Sequence, residues 1–338
     1  MNSEFQQALA RHIAAQWNAR RVRIEQLVPL SGGAIQENWR LVLEVDGGPH
    51  HGTVLCVLRC DSATAGVASS HSRAQEFALL ATAFNAGVRV PEPLLLCTDP
   101  QVLGRPFFLM KCVPGTAAAH VIVKDMRYAP DRAELAHALG RELATIHSIV
   151  PPVPALNFLP LPEGNPALLK VQQHRAYLDT LPNAYPALEW GLRWLERHAP
   201  RNLQLALCHG DYRTGNYMVD EHGLSGILDW EFAQWGNPLQ DLGWFCARCW
   251  RFGQHELEAG GIGLREHFYA GYEEVSPTPI DRAEVAYWEV MAHVTWAVIA
   301  LQQAQRHCSG QERSLLLALT GHVVPELEWQ ILNMTEHG

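Results

Sequence analysis

Three polar residues near the middle of the chain have the types and spacing that divalent-cation chemistry requires. The stretch LCHGDYRTGNYMVD contains Asp211 and Asn216, and Asp229 follows thirteen residues after Asn216, at the end of GILD. Carboxylate and carboxamide oxygens are hard ligands that suit Mg²⁺, which keeps several waters and takes further ligands from substrate phosphates. With Asn216 and Asp229 on the metal, Asp211 would be free to accept a proton from an attacking hydroxyl.

The residues around these three predict a loop followed by a β-hairpin. Gly210 and Gly215 allow the loop to turn tightly, and Gly223 is typical of a turn between two short strands, NYMVD and LSGILD. Such a hairpin would bring Asn216 and Asp229 side by side. The alternative is that these residues only form turns by hydrogen-bonding to their own backbone. Three of them between two apolar strands favour the metal site.

The first third of the chain is predicted to be rich in β-structure. An amphipathic helix with Phe5, Leu9, Ile13 and Trp17 on one face comes first. The Gly-Gly turn at 47–48 indicates a hairpin between the runs that flank it. The elements that the pattern predicts up to residue 113 are strands over 22–30, 39–45, 52–59 and 105–113 and a helix over 69–86.

From about residue 131 the pattern becomes helical. ELAHALGRELATIHSI has helical spacing, and a Pro-rich connector follows it. The further helices that the pattern predicts cover 168–198, with a break near Pro182 and Pro186, then 238–250, 263–274, 281–307 and 312–334. We therefore expect an α+β protein with a β-rich N-terminal domain over 1–113 and a mostly helical C-terminal domain over 114–338.

Composition and charge exclude several classes of protein. A formal charge of −9 argues against binding to nucleic acid or to an anionic membrane, although it would suit a cationic small substrate. The N-terminus lacks the pattern of a secretory signal, and the most apolar late run, 290–301, is too short to span a bilayer. We expect a cytoplasmic protein with reduced thiols, in which Cys246 and Cys249 pack one helical turn apart without binding metal.

HGDYRTGN followed by LDWE resembles the aminoglycoside phosphotransferase family, relatives of choline and homoserine kinases with a protein-kinase-like fold. The family pattern H-G-D-x-x-x-x-N, with an Asp thirteen residues later, is complete in this chain. The resemblance implies a two-lobe kinase-like fold, with Asp211 as catalytic base and Asn216 and Asp229 as Mg²⁺ ligands. It also implies ATP as the phosphoryl donor, with GTP as the alternative.

The same resemblance implies nucleotide contacts in the N-terminal domain. LSGGAIQENWRL occupies the place of the family's Gly-rich hairpin, where Gly32 and Gly33 would let backbone N–H groups approach the phosphates. Glu76 matches the paired acid of the helix that follows the nucleotide-anchoring strand. RPFFLMKCVPG is similar to the hinge between the lobes, where the backbone around Lys111 and Cys112 would meet the adenine.

The nucleotide-anchoring strand VLCVLR differs from the pattern of many family members. It offers Arg59 where they carry Lys. The Arg fork can neutralise phosphates and pair with Glu76; the alternative is a surface charge at a strand edge. A strand that ends in VLR is similar to the kinase-like domains fused to acyl-CoA dehydrogenases. That similarity favours a hydroxylated acyl compound or another acceptor that is not an antibiotic.

The sequence thus predicts a small-molecule kinase that transfers the γ-phosphoryl group of ATP to a hydroxyl of a small substrate. A nucleotide-binding module without turnover is the alternative of a different class, and an aminoglycoside kinase is the alternative substrate. An aminoglycoside site would need a dense acidic cluster, for which the candidates are Glu256, Glu258, Glu273 and Glu274.

Overall fold

The structure is a computed structural model of the chain and describes residues 3–30, 36–61, 71–201 and 203–336. It divides into two compact units, each built from several segments of the sequence. Unit 1 comprises Met1–Pro130, Pro152–Phe158 and Gly215–Ala233. Unit 2 comprises Asp131–Pro151, Leu159–Thr214 and Gln234–Gly338. The hairpin after Asn216, which the sequence assigned to the C-terminal domain, therefore belongs with the N-terminal sheet in unit 1.

The elements that the sequence predicts occur in the predicted order, and further short strands and helices lie between them. The strands are β1 (Arg21–Pro29), β2 (Gln36–Asp46), β3 (Gly52–Asp61), β4 (Pro93–Cys97), β5 (Phe107–Lys111), β6 (Ala206–Cys208), β7 (Tyr217–Asp220), β8 (Gly223–Ile227) and β9 (Gln234–Gly236). The helices are α1 (Ser3–Gln16), α2 (Arg73–Asn85), α3 (Pro100–Leu103), α4 (Ala119–Ile122), α5 (Arg132–His147), α6 (Pro166–Leu178), α7 (Pro186–Arg197), α8 (Leu239–Cys246), α9 (Arg265–Val275), α10 (Arg282–Cys308), α11 (Leu315–Gly321) and α12 (Val324–Thr335).

Unit 1 is built on a five-stranded antiparallel sheet with the strand order β1-β2-β3-β5-β4. On β2, Leu41, Leu43 and Val45 are buried, and they form one core with Leu9 and Ile13 of α1. This alternation follows from the two-residue period of a strand that packs one face on the core. In β3, by contrast, every residue from 56 to 60 is buried, because α1 packs on one face of this strand and α2 contacts the other, where Arg59 pairs with Glu76.

The hairpin β7–β8 belongs to unit 1 and is fastened to the segment after β5. Thr116 and Val219 exchange two backbone hydrogen bonds of 2.8 and 3.0 Å. Gly115 has φ +105°, and a Cβ at this position would collide with the Val219 carbonyl group. Only glycine fits both requirements. The Pro-Gly turn that ends the β-rich region therefore also fixes the position of the hairpin.

Unit 2 is a helical assembly around the long helix α10. The helices α5 and α9 pack closely because each presents a glycine to the other: a Cβ on Gly140 would collide with the carbonyl oxygen of Phe268, and one on Gly271 with that of His137. The short strands β6 and β9 pair antiparallel in the same unit. They hold the start of the loop that contains Asp211.

The structure confirms the predicted α+β class and corrects several elements. Strand β4 was not predicted; its five residues begin at Pro93, a residue type that sheets tolerate only at edges, first positions and bulges. Helix α2 begins at Arg73, because Ser72 and Gln75 form a capping box there; residues 69 and 70 of the predicted helix lie outside the described residues. The last predicted helix is divided between α11 and α12.

Candidate active site

The loop that carries Asp211 is held in unit 2 by one buried carboxylate. Asp241, on α8, is 1% exposed and accepts hydrogen bonds from the backbone N–H groups of His209 (2.6 Å) and Gly210 (3.0 Å). Gly210 has φ +80°, and in this conformation its N–H points to the Asp241 carboxylate, as does the N–H of His209. Farther along the loop, Thr214 donates to the carbonyl of Gly260 at 2.7 Å.

Asp241 is ionised in spite of its burial. Burial by itself would raise the pKa of this carboxyl group, but the hydrogen bond and charge of His147 and the N–H of Gly210 hold its pKa below the ordinary value. His147 Nε2 lies 3.2 Å from Asp241 Oδ2, and its Nδ1 lies 2.9 Å from the Tyr272 hydroxyl. The loop is thus fixed by charge-assisted hydrogen bonds that need no ligand.

Two side chains that the sequence analysis did not identify hold the carboxylate of Asp211. Trp244 Nε1 donates to Asp211 Oδ1 at 2.9 Å, and Arg213 Nε lies 3.0 Å from Oδ1 and 3.2 Å from Oδ2. The guanidinium of Arg213 lies over the ring of Trp250, 4.9 Å from its centroid. Trp244 follows Asp241 by almost one helical turn. This spacing is the one signal in the sequence that could have pointed to the contact of Trp244 with Asp211.

The hairpin of unit 1 brings the backbones of the two predicted metal ligands together. Leu228 N donates to Asn216 O at 2.8 Å, so Asn216 lies at the open end of the hairpin opposite the residue that precedes Asp229. Asp229 has φ +67°, a left-handed conformation that Asp tolerates better than most residues. The turn at Gly223, with φ +122°, closes the other end, as the sequence predicted.

Arg59 connects two carboxylates within unit 1. Its Nε lies 2.6 Å from Glu76 Oε1, and its Nη2 donates to Asp229 Oδ1 at 2.8 Å. Burial would lower the pKa of this guanidinium, but the charges of Glu76 and Asp229 raise it above the ordinary value. Arg59 is buried on the central strand β3, so it is not a surface charge at a strand edge. Glu76 is also paired with the buried Arg73.

A third acidic side chain, that of Glu231, interacts electrostatically with Asp229 in unit 1. Burial and the charge of Asp229 raise the pKa of Glu231 to about 7, although Arg59 acts in the opposite direction. The carboxamide of Asn216 and the carboxylate of Asp229 are the oxygen donors that Mg²⁺ prefers, and a cation would relieve the repulsion that raises the pKa of Glu231. The donor set therefore fits a magnesium ion.

A second cluster of metal-binding residue types does not fit a metal. His147, Cys208 and Asp241 offer ligand atoms that lie within 4.8 Å of one another. Both nitrogens of His147 already have hydrogen-bond partners. Burial raises the pKa of the Cys208 thiol well above its ordinary value, and both oxygens of Asp241 already accept hydrogen bonds from the loop.

The remaining predicted nucleotide contacts lie along β5 or outside the described residues. Gly32 and Gly33 fall outside the part of the chain that the structure describes. The N–H of Lys111 donates to Glu92 O at 2.8 Å, and that of Cys112 donates to Leu55 O at 3.0 Å. Both N–H groups are therefore occupied within unit 1. A nucleobase at this position would have to bind other groups of the same segment.

The acidic residues considered for a polycationic acceptor do not form a cluster. Glu258 pairs with Arg265 at 3.0 Å, and Glu274 pairs with Arg141 at 3.4 Å. Glu273 accepts a hydrogen bond from the backbone of Ile280 at 3.1 Å. Each of these three carboxylates therefore has a partner in unit 2. Glu256 is an exposed surface charge.

Comparison with known proteins gives a consistent result for most of the chain. The profile of the phosphotransferase enzyme family (APH) matches residues 26–278. Acyl-CoA dehydrogenase family member 10 of Mus musculus is 28% identical over 284 residues, which are 77% of this chain and 26% of that protein. The chain thus spans about a quarter of the length of this relative.

Solved structures share the fold over nearly the whole chain. A protein of Ralstonia eutropha JMP134, provisionally classed as an aminoglycoside phosphotransferase, has a TM-score of 0.77 and 20% identity, and the match covers 98% of each chain. Spectinomycin phosphotransferase APH(9)-Ia, in complex with ADP and spectinomycin, has a TM-score of 0.62 and 12% identity, with 96% of this chain and 98% of that chain covered. The predicted protein-kinase-like fold is confirmed. Among the described helices, none combines the length and apolar composition that a membrane crossing requires.

Proposed function

The chain belongs to the phosphotransferase enzyme family and is a small-molecule kinase, and we propose that it transfers the γ-phosphoryl group of ATP to a hydroxyl group. In this proposal Asp211 is the catalytic base, while Asn216 and Asp229 bind Mg²⁺. The observation that carries it is the contrast in how the two aspartates are held. Asp211 is fixed by uncharged and cationic donors, whereas Asp229 lies among carboxylates that a cation would stabilise.

The surroundings of Asp211 suit a base that receives a proton late in the reaction. Arg213 and Trp244 donate hydrogen bonds to the carboxylate and restrict its orientation. Phosphoryl transfer needs little covalent help from the protein, so most of the acceleration comes from positioning and from neutralisation of charge. An ionised carboxylate in a fixed orientation can align the acceptor hydroxyl and then take its proton.

The surroundings of Asp229 suit a nucleotide with its metal. The ion would supply charge neutralisation on the transferred phosphoryl group. Arg59 adds a permanent positive charge from β3, and its planar fork can bind phosphate oxygens. Its present partners, Glu76 and Asp229, would keep the guanidinium oriented before a nucleotide binds. Gly32, Gly33 and the segment around Lys111 and Cys112 complete the nucleotide contacts that we propose.

The acceptor that we propose is a small hydroxylated compound and not an aminoglycoside. Of the carboxylates that could have formed a polycation site, Glu258 and Glu274 pair with arginines, Glu273 accepts a backbone hydrogen bond, and Glu256 is exposed. Similarity to a member of the acyl-CoA dehydrogenase family favours a hydroxylated acyl compound, and this chain spans about a quarter of that relative's length.

The proposal is tested by nucleotide binding followed by turnover. Mg²⁺ and ATP should raise the melting temperature of the wild-type protein, and ADP release should follow with a hydroxylated metabolite from a panel. Asp211→Asn should abolish ADP release and keep the thermal shift, whereas Asp179→Asn, the same change at an exposed position, should behave as wild type. Stabilisation by nucleotide without turnover on any acceptor would instead support a binding module.

A further inference from the structure

A cavity in unit 2 opens beside the loop of Asp211. Gly210, which precedes Asp211, forms part of its lining, and so does Trp244, whose indole donates to the Asp211 carboxylate. Trp288 and Met291 of α10 add apolar surface. A molecule in this cavity would therefore lie next to the residue that we propose as the base.

The only basic side chain among the described residues that line this cavity is Lys170 of α6. The chain has three lysines; Lys111 and Lys124 are exposed, whereas Lys170 is half-buried. Across the described part of the chain, no acceptor hydrogen-bonds to the Lys170 ammonium and no carboxylate forms an ion pair with it. A cation that is partly removed from water and lacks an ion-pair partner costs stability.

Asp241, which also lines the cavity, compensates for this cost only in part. Burial lowers the pKa of its ammonium, and the charge of Asp241 opposes that effect without forming an ion pair. Both oxygens of Asp241 already accept hydrogen bonds from the loop and from His147. Burial and the charge of Lys170 lower the pKa of His174 to about 3, so this imidazole is neutral. Lys170 is thus left as the positive group of the cavity.

We propose that Lys170 binds an oxyanion, a carboxylate or a phosphate, on the phosphoryl acceptor. The acceptor would be a compound with a hydroxyl group for Asp211, a hydrocarbon part for Trp288 and Met291, and a negative group for Lys170. This inference rests on the proposed function and narrows it. A polycationic antibiotic would bring positive charge to the same ammonium, which is a second reason against an aminoglycoside acceptor.

The test measures binding, so that it does not depend on turnover. Three sets of probes of two to six carbons are compared: hydroxy-carboxylates, hydroxyalkyl phosphates and the primary amides of the hydroxy-carboxylates. Calorimetric titration of the wild type should show that one of the anionic sets binds at least about tenfold more tightly than the amides, as expected for a hydrogen bond to a charged group. The set that binds more tightly identifies the oxyanion as carboxylate or phosphate.

Variants of Lys170 separate a specific role from a structural one. Lys170→Met should remove the preference for anions, Lys170→Arg should retain most of it, and Lys124→Met, the same change at an exposed lysine, should leave it unchanged. Equal binding of amides and anions by the wild type, an undiminished preference in Lys170→Met, or no saturable binding of any anion would overturn the inference. Unfolding of Lys170→Met does not decide the test, because Lys170→Arg and the wild-type preference are measured independently.

Phosphorylation of the same probes distinguishes this inference from the proposed function. Phosphoryl transfer that requires Asp211 but shows no preference for anionic probes would support the proposed kinase function. It would contradict the proposed binding of an oxyanion by Lys170. Binding of anionic probes that requires Lys170, without phosphoryl transfer to any of them, would support the oxyanion site in the cavity. It would contradict the proposed kinase reaction.

Discussion

The carboxylates of Asp211 and Asp229 are both essential to the proposed reaction, but the molecule holds them in different ways. Asp211 in unit 2 accepts hydrogen bonds from Trp244 and Arg213, on a loop fixed by the buried Asp241. Asp229 in unit 1 forms an ion pair with the guanidinium of Arg59, which also pairs with Glu76. The hydrogen bonds that hold Asp211 need no ligand, whereas in the second region burial and the charge of Asp229 raise the pKa of the neighbouring Glu231.

This difference indicates which region should respond to a nucleotide. The hydrogen bonds around Asp211 use donors that a nucleotide does not need, so they should persist when Mg²⁺ and ATP bind. In unit 1 a metal ion and phosphates would compete for Asp229 and Arg59, and the raised pKa of Glu231 should fall when positive charge arrives. We therefore expect ligand-linked changes in unit 1 and a preorganised loop in unit 2.

The largest effect on turnover is expected from a change in unit 2, at Asp211. Asp211→Asn keeps the size of the side chain and removes the proton acceptor, so turnover should fall by about 10²- to 10⁴-fold. The affinity for Mg²⁺–ATP should remain within about twofold of the wild-type value, because a twofold change corresponds to only about 0.4 kcal/mol. Steady-state kinetics and calorimetric titration measure the two quantities. Turnover close to that of the wild type would remove Asp211 as the base.

Asp229→Asn changes the corresponding residue in unit 1. Outer-sphere partners of bound metals are already worth about 10- to 100-fold in affinity, so loss of a direct ligand charge should weaken Mg²⁺–ATP binding by at least about tenfold. Titration of ATP at several Mg²⁺ concentrations tests this, with the exposed Asp179→Asn as the matched control. An unchanged affinity would show that Asp229 does not bind the metal.

The sequence predicted those parts of both regions that depend on local spacing. The loop, the hairpin and its turn at Gly223 follow from glycine positions and alternating apolar residues. The pairing of Arg59 with Glu76 could be anticipated from the family resemblance. The metal and base roles themselves remain predictions, which Asp211→Asn and Asp229→Asn test.

The parts that the sequence did not predict depend on tertiary contacts. Trp244 and Lys170 lie more than thirty residues from Asp211 in the sequence, and no periodicity connects either of them with it. Strand β4 was missed for a local reason: Pro93 is tolerated as the first residue of an edge strand, so it marks a beginning as well as a stop.

A third prediction sharpens the claim that the loop in unit 2 needs no ligand. In Asp241→Asn one of the two oxygens becomes an NH₂ group, which cannot accept a hydrogen bond from the N–H of His209 or Gly210. Hydrogen bonds to a charged acceptor are worth about 1.5–3 kcal/mol, so the free energy of unfolding should fall by about 2 kcal/mol. Urea denaturation measures this loss. A variant of full stability would show that the loop is held mainly by other contacts, such as that of Thr214 with Gly260.

The fourth prediction concerns acid stability, which should reside in unit 2. Burial lowers the pKa of His174 to about 3 and that of His293 to about 4, whereas an unfolded histidine has a pKa near 6.5. Between these values the unfolded chain binds more protons than the folded one. Stability is therefore present above about pH 6.5 and is lost as the pH falls, by up to about 1.4 kcal/mol per pH unit for each histidine.

Urea denaturation at pH 7.5, 6 and 5 tests this pH dependence. His174→Gln or His293→Gln should reduce the slope of stability against pH by about one proton, and His222→Gln, at an exposed position, should not. An equal slope in all three variants would place the acid-sensitive groups elsewhere in the molecule.

The smallest effect is expected when Arg59 is replaced by lysine. Arg59 uses two different nitrogens to reach Glu76 and Asp229, whereas lysine has one nitrogen and cannot maintain both pairs with the same geometry. The positive charge remains, so KM for ATP should rise only about threefold to tenfold, which corresponds to roughly 0.7–1.4 kcal/mol, and kcat should change little. Arg59→Met, without the charge, should be much worse, and Arg40→Lys on the neighbouring strand β2 serves as the exposed control. If lysine performs as poorly as methionine, the fork geometry matters more than the charge, and unit 1 is then as strictly preorganised as the loop of Asp211.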